Sequence, residues 1–144
     1  MAVPARITIV TLGVADLERS KAFYSALGWE LTKSSMPDQI MWFRTAGSYV
    51  GLFGYEALAE DANLPMAPPA PYRGVTLAIN LESEAAVDEA MSDAAEAGAD
   101  IIKPAVRADW GGYSGYFADP DGYAWEVAHN PNFPVSQDGS SYIP

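Results

Sequence analysis

Two parts of the chain carry the same order of secondary-structure signals, and this repetition constrains the fold most. In the first part, the β-branched run RITIVTLGV predicts a strand, Asp16 is a candidate N-cap for the helix LERSKAFYSAL, and Gly28 ends that helix. The runs WELTKSS, QIMWFRT and SYVGLFGY then predict three strands, and the last two form a hairpin at Ala46-Gly47. The predicted order is strand, helix and three strands.

The second copy begins at Gly74. The run GVTLAINL predicts a strand, Ser83 is a candidate helix N-cap, and Gly98 ends the helix. Three predicted strands follow, ADIIKPAV, GGYSGYF and YAWEVAHN, with Pro104 suited to an edge or a bulge and ADPDG as the final turn. We therefore predict an α+β fold of two tandem βαβββ modules, whose curved mixed sheets each pack a helix on one face and together enclose a cleft.

The segments outside the repeats set the predicted boundaries of one domain. A proline cluster between the copies favours an extended, polyproline-like connector. The tail is irregular but holds Phe133, Tyr142 and Ile143, which would prefer to dock, for example on a second subunit. The predicted segments are module one at about 6–55, the connector at about 56–73, module two at about 74–130 and the tail at 131–144.

Composition excludes several classes of function. The net charge of −11 argues against a nucleic-acid partner and would favour a cationic ligand if the acidic groups surrounded the cleft. No apolar run is long enough to cross a bilayer, so no membrane partner is expected. The chain has no cysteine, which removes disulfides and thiolate sites and is consistent with a cytoplasmic location.

The motifs LGVADLERSKAFYSALGWEL and GYFADPDGYAWEV fall in the right order within the duplicated plan, and from Arg6 to about Asn130 the chain resembles the vicinal oxygen chelate superfamily. This superfamily is also called the glyoxalase, bleomycin resistance and dioxygenase family. The resemblance implies paired modules around a cleft, commonly in a homodimer. It also implies that, in the metalloenzymes of the family, four ligands from the first and last strands of the modules hold a divalent metal.

The implied metal-ligand positions depart from the family pattern. They fall on Ile9, on Gly51 or Phe53, on Thr76 and on Glu126, and only Glu126 is a good ligand. The only histidine, His129, follows Glu126 by three positions and would point to the opposite face of a regular strand. We therefore predict no metal and no other cofactor, with a divalent metal as the disfavoured alternative.

Strand alternation predicts which side chains line the cleft. The turn lengths pair Arg44 with Tyr49 and place Tyr113 and Phe117 beside Glu126, whereas a one-residue slip would place Ser114 and Tyr116 there. Each aromatic side chain could instead serve core or dimer packing. The predicted ligand-binding residues are Ile9, Thr11, Trp42, Arg44, Tyr49, Phe53, Thr76, Asn80, Trp110, Tyr113 and Glu126.

Three functions remain open from the sequence. The first is metal-independent binding of a small hydrophobic or aromatic molecule, cationic or neutral, as in the drug-sequestering resistance proteins of the family that the chain resembles. The second is a cofactor-free isomerase, epimerase or lyase in which Glu126 is the catalytic acid or base. In a purely structural alternative, Glu126 pairs with Arg44. A metal-dependent lyase or dioxygenase ranks last because of the ligand positions.

Overall fold

The computed structural model describes residues 2–144, and they divide into two compact units, with the boundary between Ala67 and Pro68. The division falls inside the predicted connector at 56–73. Each unit contains one sheet and one copy of the repeated plan, so the α+β class and the two modules are confirmed.

Unit 1 contains a three-stranded sheet and two helices. Its elements are β1 (Ile9–Val14), α1 (Leu17–Ala26), β2 (Ile40–Arg44), β3 (Tyr49–Gly54) and α2 (Tyr55–Asp61). The strand order is β1-β3-β2, with β3 parallel to β1 and antiparallel to β2. The predicted N-cap is confirmed, since the Asp16 carboxylate accepts a hydrogen bond from the Arg19 N–H at 3.1 Å. The predicted hairpin register is also confirmed, because Arg44 pairs with Tyr49.

Two predictions for unit 1 are wrong. The run WELTKSS forms only an isolated bridge from Leu31 to Phe43, because the Ser35 hydroxyl accepts the bond from the Trp42 N–H at 3.0 Å, in place of a backbone partner. The start of the predicted connector is a helix, α2, and not an extended segment. Its residues YEALAED are good helix formers, and the first proline of the connector comes only at Pro65.

The core of unit 1 lies between α1 and one face of the sheet. Leu12 and Val14 of β1 point to this face and are almost fully buried. The ring of Tyr24 on α1 is fully buried, with its centroid 5.1 Å from that of Phe23 and 5.9 Å from that of Phe43. Because side chains alternate along a strand, the opposite face of the sheet is left to the other half of the strand residues.

Unit 2 repeats the plan with three strands after its first helix. Its elements are β4 (Leu77–Asn80), α3 (Glu84–Glu96), β5 (Asp100–Arg107), β6 (Tyr113–Ala118) and β7 (Ala124–His129). The strand order is β4-β7-β6-β5, with β4 parallel to β7 and the other pairs antiparallel. The Ser83 hydroxyl caps α3 by accepting from the Ala86 N–H at 3.0 Å, as predicted. Val87 and Met91 of α3 are buried, as are Trp125 and Val127 of β7.

The edge strand β5 is irregular around Pro104. Its pairing with β6 shifts register between Ile101 and Lys103 and again between Lys103 and Val106. The prediction that Pro104 marks an edge or a bulge is therefore confirmed. No helix within residues 2–144 combines the length and the apolar character needed to cross a membrane.

Replacing Gly115 with alanine is expected to lower the free energy of unfolding by about 1–3 kcal/mol through overpacking. A Cβ at this position would lie 2.8 Å from the Ala105 nitrogen and 2.9 Å from the Lys103 oxygen. Both are backbone atoms, which cannot move aside as a flexible side chain can. Chemical denaturation followed by circular dichroism measures the change. Gly54→Ala is the control, because its Cβ meets only the Ala57 Cβ at 3.7 Å. Equal stability of the two variants would contradict the expected clash.

Candidate functional site

The face of the unit 1 sheet opposite α1 carries all six predicted site residues of this unit. Its side chains come from three adjacent strands, and they meet at Gly51. An ideal Cβ on Gly51 would lie 3.1 Å from Thr11 Oγ1, 3.3 Å from Ile9 Cγ2 and 3.4 Å from Trp42 Cδ1. The residues of this face, row by row across the strands, are Ile9, Tyr49 and Arg44; Thr11, Gly51 and Trp42; and Gly13, Phe53 and Ile40.

Helix α2 covers one end of this face. An ideal Cβ on Gly13 would lie 3.0 Å from Tyr55 Cδ2 and 3.4 Å from Leu58 Cδ2, so the helix packs directly on β1. The Tyr55 hydroxyl also donates to the Ala67 oxygen at 2.7 Å. Phe53, which pairs with Gly13 across the strands, therefore lies at the covered end. This helix was not predicted from the sequence, and it restricts the open region of the face to the Ile9 end.

A cavity of about 250 Å³ occupies the open end of this face. It is lined by Thr8, Ile9, Thr32, Ser34, Trp42, Arg44 and Tyr49. The structure thus brings together four residues predicted from strand alternation: Ile9, Trp42, Arg44 and Tyr49. Thr8, Thr32 and Ser34 lie outside the observed strands. They fall in the predicted strands RITIVTLGV and WELTKSS, but strand alternation did not assign them to the cleft.

Arg44 is the charged group of the cavity lining. Its Nη1 donates to the Tyr49 hydroxyl at 2.9 Å, and its guanidinium carbon lies 5.4 Å from the centroid of the Tyr49 ring. Its Nε lies 3.8 Å from Glu30 Oε1, with the side chains 49% and 73% exposed. An ion pair with this separation and exposure contributes little stability. The partners described for Arg44 are therefore Tyr49 and Glu30, and not Glu126, the partner in the structural alternative above.

Glu126 lies on the face of the unit 2 sheet opposite α3. It pairs with Tyr116 on one side and with Ala78 on the other, and Lys103 pairs with Tyr116 further along the same row. The Tyr116 hydroxyl donates to Glu126 Oε2 at 3.2 Å. Asn80 lies on the same face, paired with Ala128 next to this row.

The placement of Tyr113 and Phe117 beside Glu126 is wrong, and the alternative register, with Ser114 and Tyr116 on that face, is correct. Tyr113 pairs with His129 on the opposite face, where its hydroxyl donates to Asp88 Oδ1 at 2.6 Å. The reason is the loop, because Ala118 pairs with Ala124 and leaves residues 119–123 between them, an odd number. In this loop the Asp119 carboxylate accepts from two backbone N–H groups at 2.9 Å, which holds the longer turn.

Burial and, after it, the charge and hydrogen bond of Glu126 raise the pKa of the Tyr116 phenol above its ordinary value of about 10. The folded protein therefore holds this proton more tightly. The resulting contribution to the free energy of unfolding is present below about pH 10 and is lost as the pH rises through the folded-state pKa of Tyr116. Glu126→Gln is expected to move this ionisation to lower pH without abolishing the shift, because burial is its largest cause.

Tyrosinate absorbance measures this ionisation. The chain has eight tyrosines, so the difference between a protein and its Tyr116→Phe variant isolates one of them. The same difference taken in the Glu126→Gln background gives the shift. An unchanged ionisation in that background would contradict the described Tyr116–Glu126 contact.

His129 lies on the α3 side of the sheet, as strand alternation predicts. Its Nδ1 is 2.9 Å from the Leu81 oxygen, a contact that fixes the ring at the end of β7. Nearby on the same side, both Nε and Nη2 of Arg107 donate to the Glu84 carboxylate, which lowers the pKa of Glu84. The surroundings of His129 are those of a structural residue.

The two remaining predicted residues are exposed. Trp110 lies between β5 and β6 with 65% of its surface exposed, and its indole lies against the position where Gly112 would carry a Cβ. Thr76 is exposed and directly precedes β4.

The positions that the family resemblance assigns to metal ligands do not fit a metal ion. In unit 1, Ile9, Gly51 and Phe53 have no donor atom in their side chains, and the space beside Gly51 is filled by its neighbours. In unit 2 the assigned pair is a threonine hydroxyl and the Glu126 carboxylate, which is too few strong donors. In residues 2–144 no three His, Cys, Asp or Glu side chains form a group able to hold a metal.

Comparisons with known proteins agree with the fold. The profile of the glyoxalase/bleomycin resistance protein/dioxygenase superfamily matches residues 6–127. A glyoxalase-related enzyme from Fulvimarina pelagi is 31% identical with a TM-score of 0.85, over 97% of this chain and 99% of that one. A lactoylglutathione lyase from Agrobacterium tumefaciens is 26% identical with a TM-score of 0.69, over 89% and 96% of the two chains. Comparison with curated proteins gave no significant match.

Proposed function

Because the chain belongs to the glyoxalase/bleomycin resistance protein/dioxygenase superfamily, we propose that it binds a small hydrophobic or aromatic molecule without a metal ion. In this function the protein holds its ligand and does not transform it. The observation that carries the proposal is the aromatic-walled cavity of unit 1, beside family positions that hold Ile9 and Gly51 in place of ligands.

The chemistry of the cavity supports this function. Trp42, Tyr49 and Ile9 supply apolar and aromatic surface, and Arg44 and three hydroxyl side chains supply polar groups. Small-molecule pockets combine apolar walls with a few polar groups in this way. Gly51, next to the lining residues Ile9 and Trp42, leaves no space for an added side chain, because a Cβ there would lie 3.1 Å from Thr11 Oγ1 and 3.3 Å from Ile9 Cγ2.

A calorimetric binding screen tests the proposal. Chelator-treated protein is titrated with one- and two-ring aromatic compounds, and we expect at least one dissociation constant near or below the micromolar range. The same titrations after incubation with Mn, Fe, Co, Ni or Zn should give the same affinities. Failure of every compound, or affinity that appears only with a metal, would contradict metal-independent binding.

The Tyr116–Glu126 hydrogen bond favours a second candidate function. A carboxylate that accepts a bond from a half-buried phenol could act as an acid or base in a cofactor-free isomerase, epimerase or lyase step. Turnover that survives chelator and disappears in Glu126→Gln would support this candidate over sequestration. Retained turnover in that variant would exclude Glu126 as the catalytic group.

A further inference from the structure

We propose that the cavity of unit 1 selects aromatic molecules that carry a carboxylate, and that Arg44 binds this carboxylate. The inference rests on the proposed function, because it names the class of ligand for the same cavity. It reverses the expectation from composition, since the net charge of −11 favoured a cationic ligand.

The local charge of the cavity differs from that of the chain. Of its seven lining residues, six are neutral and one, Arg44, is a cation. The nearest acidic group described beside it is Glu30, whose Oε1 is 3.8 Å from Arg44 Nε, beyond ordinary hydrogen-bond length. The lining itself favours an anion, although the negative net charge of the chain opposes the approach of one.

The Arg44 guanidinium has more N–H donors than its bond to Tyr49 uses. It carries five N–H groups in a planar fork, and one of its nitrogens, Nη1, donates to the Tyr49 hydroxyl. This bond holds the fork against the Tyr49 ring, with the guanidinium carbon 5.4 Å from the ring centroid. A fork held in this way can bind a carboxylate through two parallel N–H···O bonds, and such bonds are stronger than those between neutral groups.

The cavity volume limits the size of the aromatic part. At about 250 Å³ it lies below the roughly 300 Å³ at which pockets for drug-sized ligands begin. A ligand of one or two rings therefore fits best. Trp42 and Tyr49 supply aromatic faces for the rings, and the carboxylate lies at Arg44.

Three probes of matched shape test the charge preference by calorimetry. They are 2-naphthylacetate, 2-(2-naphthyl)ethanol and 2-(2-naphthyl)ethylammonium. We expect the acetate to bind most tightly and the ammonium most weakly. Arg44→Gln should weaken the acetate by about tenfold, the low end for a bond to a charged group because Arg44 is half exposed, and should leave the alcohol nearly unchanged.

The control variant is Arg107→Gln, which removes the same charge from an exposed site in unit 2. It should leave the acetate affinity unchanged. Added salt should weaken the acetate and not the alcohol, since only the first binding depends on charge. Arg44→Lys, which keeps the charge and loses the fork, should fall between wild type and Arg44→Gln.

The outcomes separate this inference from the proposed function. If no probe binds, and the wider aromatic screen is also negative, both fail. If the alcohol or the ammonium binds as tightly as the acetate, the cavity binds aromatics but does not select an anion. An unchanged acetate affinity in Arg44→Gln would likewise overturn the role of Arg44 while leaving aromatic binding intact.

Discussion

Phe43→Ala is expected to lower the free energy of unfolding by about 3–5 kcal/mol, the range for removing a large aromatic side chain from a packed core. The side chain is fully buried, and its ring centroid lies 5.9 Å from that of Tyr24. The truncation therefore leaves a cavity beside a ring on α1. Phe43 also forms a backbone bridge with Leu31, and this bridge does not depend on the side chain, so the segment after α1 should stay attached to β2.

Urea unfolding followed by circular dichroism measures this loss. Ile7→Ala is the control, because Ile7 is 71% exposed and its truncation should change stability by no more than about 0.5 kcal/mol. If Phe43→Ala were as stable as the control, the description of the unit 1 core would be wrong. Two transitions in wild type would show that the units unfold separately, and the loss should then appear in one of them.

Strand alternation and turn chemistry were sufficient to predict most of the unit 1 site. The Ala46-Gly47 turn fixed the pairing of Arg44 with Tyr49, which is confirmed, and the same register pairs Trp42 with Gly51. The face of each strand residue then followed from its parity. This worked because a short hairpin leaves a single register, and that register determines every neighbour in the row.

The errors have local physical causes. The register of β6 and β7 depended on the length of the ADPDG loop, and the Asp119 carboxylate stabilises the longer loop through two backbone bonds. The Ser35 hydroxyl interrupts the predicted second strand. Helix α2 was not predicted because the proline cluster favoured an extended connector. The first residues of that connector, before the prolines, favour a helix. The hydrogen bonds between the Asp119 and Ser35 side chains and the backbone leave no periodic signal in a sequence.

Trp42→Ala is expected to weaken binding of an aromatic probe such as 2-naphthylacetate at least about tenfold, because it removes a large apolar wall of the cavity. The indole lies next to Gly51, with its Cδ1 3.4 Å from an ideal Cβ there, so the cross-strand neighbour on β3 has no side chain to fill the space. The backbone bond from the Trp42 N–H to Ser35 Oγ does not depend on the side chain, and β2 should therefore keep its register.

Trp110→Ala is the matched control, since it also removes one of the four tryptophans but from a position in unit 2 that is 65% exposed. Calorimetry on both variants tests which of the two tryptophans contacts the ligand. Trp42 lines the cavity of unit 1, whereas Trp110 was assigned to the ligand site from the sequence alone. We expect Trp110→Ala to bind as wild type does. Equal losses in both variants would mean that the probe does not bind in the unit 1 cavity, and an unchanged affinity in Trp42→Ala would exclude this indole as a wall of the binding site.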